Sequence, residues 1–194
     1  ITKKAQDAMQ GSINKCLGDL ATFSCPPDYD LDPEGEPPRN PSLWAIWNGI
    51  RLEPQAREAF ERFSGEKVEE IGFMRHKAGS CGASPDGLIV GKSVGIEIKC
   101  PIASTHVGYL RQGELPATYA SQVHFSMAVT GADAWHFWSY CPGLPPFHFL
   151  QKRSDLTERY ADGINEFTEL LKQAKQEMAE LWEVGKNAGE MPPR

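Results

Sequence analysis

Apolar positions along this chain change period several times, and each change predicts an element. From Pro41 the spacing is helical, through SLWAIWNG and then LEPQAREAFERFSG, where Leu52, Ala56, Ala59, Phe60 and Phe63 share a face. Pro54 suits the first turn of the second segment and Gly65 its stop, which puts Glu53 at the very start of that helix. Between Val68 and Cys100 the pattern shortens to β-branched segments broken by glycine: VEEIGFMRH, the SPDGLIVG turn and VGIEIKC. This predicts an antiparallel meander. TYASQVHFSMAVTG is amphipathic, and the short aromatic run AWHFWSY fits a strand. A long helix from about 156 to 183 follows, with Ile164, Phe167, Leu171, Ala174, Met178 and Leu181 as its apolar stripe. Residues 1–24 are helix-tolerant, and the Pro, Asp, Glu and Gly of about 25–41 predict an exposed, mobile loop. The whole predicts one domain over 1–194 of mixed α/β (α+β) class, a central mixed sheet flanked by helices.

Composition narrows the partners only a little. A net charge of -6 and a pI near 5.4 argue against indiscriminate nucleic-acid binding but leave room for a local basic channel. The five cysteines, at 16, 25, 81, 100 and 141, are scattered, without a Cys-x-x-Cys pair for zinc or an iron–sulfur cluster. No apolar run approaches the roughly 18 to 20 residues of a membrane span, and ITKKAQDAMQ lacks the features of a secretory signal. A cytoplasmic protein is the simplest expectation.

The chemistry concentrates in GASPDGLIVGKSVGIEIKCP, residues 82–101. Strand alternation points Glu97 and Lys99 to one face and Ile96 and Ile98 to the other. If Leu88 to Val90 pairs with Val94 to Ile98 through the Gly-Lys-Ser turn, Asp86 enters close to Glu97. Two carboxylates that close repel unless a cation sits between them, and hard oxygen donors suit Mg²⁺ or Mn²⁺. Lys99 could then orient or deprotonate a water and stabilise charge on phosphorus, as phosphodiester hydrolysis requires. The competing reading is an edge hairpin with a solvated Glu-x-Lys face and a plain Asp-Gly turn.

The flanks bear on that choice. Glu53-Pro-x-Ala-Arg57-x-x-Phe-Glu61, Ser84-Pro85-Asp86-Gly87-Leu88, Glu97-Ile98-Lys99-Cys100-Pro101, and Tyr119-x-x-Gln122-Val123 with Met127-x-Val129-Thr130-Gly131 occur in order from about Trp44 onward. Together they resemble the phage lambda exonuclease or YqaJ-type viral recombinase nucleases of the PD-(D/E)xK superfamily. The resemblance implies a restriction-endonuclease-like core in which Asp86, Glu97 and the backbone carbonyl of Ile98 bind metal and Lys99 is the catalytic lysine. It implies that Glu53 approaches the metal, directly or at a second position, and that Gln122 positions the lysine, the water or the scissile phosphate. Ser84 and Tyr119 are expected near DNA phosphate. It further implies Mg²⁺-dependent 5′ to 3′ digestion of one strand of linear duplex DNA by a homotrimeric ring. The expected partners are DNA ends and a single-strand annealing recombinase, in phage or prophage recombination. Where the family has an arginine ahead of an Ile-Thr-Ala-Ser-like signature, this sequence reads Ile1-Thr2-Lys3-Lys4: either it starts downstream of that arginine or end recognition differs. Lys3 and Lys4 are the substitute candidates for phosphate contact.

Several residues carry two readings. Arg57 and Arg62 either pair locally or meet the DNA backbone. His76 is an extra ligand or a strand-end histidine, and His124 packs or faces solvent. Trp135, Phe137 and Trp138 form core before they form a base-stacking surface. Beside the end-dependent exonuclease stand two alternatives: a nuclease of the same chemistry acting internally or on branched DNA, and a DNA-binding module without catalysis.

Overall fold

The computed structural model describes residues 34–187. The helical reading of 1–24, Lys3, Lys4 and most of the Pro-rich stretch lie outside them. Residues 34–40 form turns and bends that lead into α1 (Pro41–Ser64). Seven strands follow: β1 (Val68–Glu69), β2 (Met74–Arg75), β3 (Gly82–Ala83), β4 (Gly87–Ile89), β5 (Val94–Lys99), β6 (Ala134–Ser139) and β7 (Phe147–Lys152). Three more helices are α2 (Ala103–Gln112), α3 (Ala117–Thr130) and α4 (Asp155–Asn187). No helix among the described residues is long and apolar enough to cross a membrane.

The chain divides into two compact units. The larger, which among the described residues holds 34–77 and 81–161, contains a five-stranded sheet in the order β1-β4-β5-β6-β7. β5 and β6 run parallel and the other neighbours antiparallel, so the sheet is mixed, as the pattern predicts. A parallel pair needs a crossover, and α2 and α3 supply it. In the smaller unit, which among the described residues holds 78–80 and 162–187, the Ser80 and Thr168 hydroxyls are hydrogen-bonded, and Thr168 donates to the Ile164 carbonyl at 2.7 Å. Within the C-terminal stripe Ile164 and Leu171 are buried, whereas Met178 and Leu181 are exposed.

Each face of the large sheet has its own core. Ile96, Ile98, Ile89 and Trp138 pack with Ala56 and Phe60 of α1, and Trp138 Nε1 donates to the Ala56 carbonyl at 2.9 Å. Trp135 packs with Val123, Met127 and Ala132 on the opposite side. A Cβ on Gly95 would lie 2.3 Å from the Trp135 ring, so the indole lies flat only because position 95 has no side chain. Trp135, Phe137 and Trp138 are each fully buried, which makes them core rather than a stacking surface.

Two expectations need correction. Pro54 does not begin a helix: α1 is continuous across it, and Glu53 sits mid-helix. Proline costs the helix an N–H at that point, but Trp47, Leu52, Ala56 and Phe60 are buried on both sides of it, and their packing holds the two segments in one helix. As expected, Phe63 keeps the helical face it shares with Phe60, its ring lying against Trp138 and His148, and is 59% exposed there. The meander is also interrupted. VEEIGFMRH splits at Gly72 into β1, which pairs with β4, and β2, which pairs only with β3 in a separate two-stranded sheet.

Candidate active site

Register brings the two hairpin acids together. Gly87 pairs with Ile96, so Asp86 falls opposite Glu97. Asp86 Oδ2 accepts a 2.6 Å hydrogen bond from the Ile98 N–H, which fixes its carboxylate across the strand. Gly87 lets β1 pack closely on the other side of this strand: a Cβ there would stand 2.4 Å from Val68 Cγ1 and 2.9 Å from the Glu69 carbonyl oxygen.

Glu97 is 1% exposed. Its Oε1 accepts from Lys99 Nζ and, at 2.7 Å, from Gln122 Nε2 on α3. Its Oε2 is buried with no hydrogen-bond partner among the described residues. Such an orphan is expensive in a folded protein and calls for an explanation. Lys99 Nζ also lies over the Tyr119 ring, 5.2 Å from its centroid.

The electrostatics show an excess of negative charge. Burial, then the charge of Asp86, pushes the Glu97 carboxyl up to about 7 against the opposing pull of Lys99 and Gln122. Burial also raises Asp86, opposed by the Ile98 N–H and Lys99. Glu53 is raised by burial and then by Asp86, which places α1's acid in the same field. Burial alone lowers Lys99, but the charge and hydrogen bond of Glu97, joined by Asp86, carry it above its ordinary value. Cys100 is pushed up to about 12 by burial and by Glu53 and Asp86, so its thiol stays protonated and is no nucleophile.

The remaining candidates separate. Arg57 Nη2 holds Glu53 at 2.6 Å while Nη1 binds Glu70, so the guanidinium pairs locally. Arg62 pairs with Glu58 at 3.4 Å. Ser84 is exposed two residues before Asp86. His76 is buried at the end of β2, and His124 is buried with Nδ1 2.8 Å from the Thr157 hydroxyl. Asn48 is a neighbour that sequence reasoning misses: buried on α1, it donates to the Cys100 carbonyl at 3.1 Å, just after Lys99. Its one signal is an amide set in an apolar helical stripe.

Among the described residues no three His, Cys, Asp or Glu side chains form a ready metal cluster. The donors that converge are two carboxylates, one with an unpartnered oxygen, and they repel one another. That set fits a hard divalent cation and does not fit zinc, which favours nitrogen and sulfur.

A mixed sheet with Glu97 and Lys99 on β5 and Asp86 just ahead of β4 is the arrangement of a nuclease core of the PD-(D/E)xK type. The chain belongs to the YqaJ-like viral recombinase domain family, whose model matches residues 21–133, more than half of the sequence. Among solved structures it is similar to an alkaline exonuclease, LHK-Exo, from Laribacter hongkongensis: 28% identity, TM-score 0.62, with 93% of this chain and 89% of that one covered. The same enzyme solved in complex with dAMP matches at 27% identity and TM-score 0.62, covering 89% of this chain and 86% of that one. A phage related exonuclease from Haemophilus somnus 129PT shares the fold at 14% identity and TM-score 0.58, over 91% of this chain and 85% of that one. No curated protein matches.

Proposed function

We propose that this protein is a divalent-metal-dependent exodeoxyribonuclease that degrades one strand of linear duplex DNA from its 5′ end. The observation that carries the reading is the Asp86–Glu97 pair, its Glu97 buried with an oxygen unpartnered among the described residues and Lys99 bound at the same point. Asp86 and Glu97, with the Ile98 carbonyl, would hold Mg²⁺ or Mn²⁺, and Glu53 would stand behind them or at a second position. A cation there supplies Lewis-acid polarisation of the phosphate and a lowered pKa for an attacking water. Lys99, whose ammonium is held charged by its two acids, stabilises the negative charge that develops on the phosphoryl oxygens. Gln122 keeps Glu97 Oε1 engaged, which turns the carboxylate so that Oε2 is free for the metal. Water's oxygen bonds to phosphorus as the bond to the 3′ oxygen breaks, and that oxygen takes a proton.

End-dependence, polarity and duplex preference rest on membership of the recombinase family and on the likeness to an exonuclease crystallised with dAMP. By the same reasoning Ser84 and Tyr119 face DNA phosphate. The protein works in the cytoplasm of a phage-carrying bacterium as a homotrimer, beside a single-strand annealing recombinase.

The test is digestion of linear duplexes labelled at the 5′ or the 3′ end, with and without a 5′-phosphate, in Mg²⁺, Mn²⁺ or chelator. A covalently closed circle serves as control. Early release of the 5′ label as mononucleotide, with the circle intact, is expected. Cutting of the circle would exclude end-dependence, and inactivity in both metals would overturn the reading.

A further inference from the structure

The ribbon β2–β3 stands apart from the five-stranded sheet and runs straight into the Ser84-Pro85-Asp86 segment. Its first strand and the residues around it alternate cleanly: Phe73, Arg75 and Lys77 are exposed, whereas Met74 is half-buried and His76 is buried. The His76 N–H donates to the Cys81 carbonyl at 2.9 Å, which carries the pairing one step past Arg75. Helix α3, which brings Gln122 to Glu97, packs against the ribbon. The outward face is therefore held in place beside the site and open to solvent.

That face joins an aromatic ring to two cations. Phe73 is 68% exposed, the most open of the large apolar side chains among the described residues. Its ring lies over Gly82: a Cβ there would meet Phe73 Cζ at 2.2 Å, so the missing side chain lets the ring settle on the backbone. Neither the Arg75 nor the Lys77 side chain makes an ion pair or hydrogen bond among the described residues, and of the acids just upstream Glu70 is bound by Arg57. The register Met74↔Ala83 sets Phe73 across from Ser84, which is exposed two residues before Asp86. Two residues of extended chain span about 7 Å, so the ring and its cations line the approach to the acids.

We infer that this face of the ribbon is a DNA-contact element: the Phe73 ring stacks on a base of the bound strand, and Arg75, with Lys77 beside it, neutralises phosphate. The inference rests on the nuclease reading of the neighbouring site. A pre-placed ring beside unpaired cations matches a polymer that offers flat base faces and regularly spaced phosphates, and stacking tolerates any sequence because every base has a π-face. Asp86, Glu97 and Lys99 address the phosphate alone, so Phe73 supplies grip without touching the chemistry.

The test is steady-state digestion of linear duplex in Mg²⁺, with DNA binding and melting temperature measured alongside. Phe73→Leu keeps an apolar side chain over Gly82 and removes the ring. Its KM should rise about fivefold or more with kcat near normal, since stacking holds the ground state and the transition state alike. Phe73→Trp should keep KM at the unmodified protein's value or below. Arg75→Gln should weaken DNA binding and lower the slope of log Kd against log salt by about one. An unchanged KM in Phe73→Leu, an equal rise in Phe73→Trp or an unchanged salt slope in Arg75→Gln would each overturn the proposal. So would a melting temperature that falls in Phe73→Leu while KM stays put, which would make the ring a cover for Gly82 and nothing more. If the unmodified protein digests no DNA, the nuclease reading fails; Kd for the same duplex then replaces KM, and the ribbon stands or falls on that value.

Discussion

Two ionisable clusters lie in the same unit, one around the buried Glu97 and one around the buried His136, and they are built on opposite principles. In Asp86–Glu97–Lys99 the acids outnumber the nearby cation, burial and mutual repulsion raise both carboxyls, and Glu97 Oε2 is left without a partner. In Glu66–Lys92–His136–His148 one carboxylate is shared between a lysine and an imidazole. Glu66 Oε2 lies 3.1 Å from His136 Nε2, and His136 Nδ1 lies 2.8 Å from His148 Nε2. Here the Glu66 carboxyl is lowered, chiefly by its bond to Lys92. Glu66 Oε2 likewise makes no hydrogen bond of good geometry among the described residues, but its charge is paired within the cluster by Lys92 and faces an imidazole nitrogen. The first cluster holds more acid than its own lysine balances, the pattern that perturbed groups at functional sites follow.

The sharpest test of this contrast is activity. Asp86→Ala and Lys99→Ala should each lower turnover by at least about 10³-fold, whereas Glu66→Gln should leave it near normal. Calorimetric titration should show that Asp86→Ala loses divalent-cation binding and that Lys99→Ala keeps it. Because Glu97 holds its proton up to about 7, a cation must displace that proton below neutrality. Apparent metal affinity should therefore weaken by up to about tenfold per pH unit as pH falls below that value. A flat profile between pH 6 and 8, with those limits only approximately set, would take Glu97 out of the ligand set.

Much of the site was legible before the fold, and the rest has identifiable reasons for being hidden. The Ser-Pro-Asp-Gly turn and the alternating Glu-x-Lys strand are local features, and their register follows from turn length, so Asp86, Glu97 and Lys99 could be placed from sequence. Gln122 joins Glu97 from 25 residues away, and family resemblance, not periodicity, pointed to it. Helix α2 escaped notice because its buried residue is a histidine while Ile102 and Val107 at its start and middle are exposed, leaving no apolar stripe to read. Strand β7 escaped because only Phe147 within it is buried. The continuity of α1 through Pro54 is set by tertiary burial, which a local helix-start rule cannot see.

The two clusters should also respond with opposite sign to neutralisation. Glu97's folded pKa stands above its ordinary value, so the folded metal-free protein favours the protonated acid and loses stability as pH rises from about 4.5 to 7. Glu97→Gln should then raise the metal-free stability at pH 8 by up to about 3 kcal/mol while destroying activity, the trade expected at a strained site. Glu66's folded pKa is depressed, so its stabilisation is present above its ordinary pKa and is lost as pH falls. Glu66→Gln should cost about 1 kcal/mol at neutral pH. Urea melts of both variants without metal read the comparison directly; a stabilised Glu66→Gln or a destabilised Glu97→Gln would erase the distinction.

The smallest effect belongs to the imidazoles. His136 is lowered by burial, then by its neighbour His148 and by Lys92, with Glu66 opposing; His148 is lowered by burial, with Glu66 again opposing. Both are depressed histidines, so the unfolded chain takes up protons near the ordinary value of about 6.5 while the folded chain refuses them. Stability should be constant above that value and fall below it, by up to about 1.4 kcal/mol per pH unit for each proton refused. His148→Gln removes one of those protons and the repulsion that His136 feels from it. The slope of unfolding free energy between about pH 6.5 and 5.5 should drop by half or more. An unchanged slope would show that the pair titrates as it would in water, and that the second cluster owes its order to the Phe60, Phe63 and Trp138 rings packed around it rather than to its hydrogen bonds.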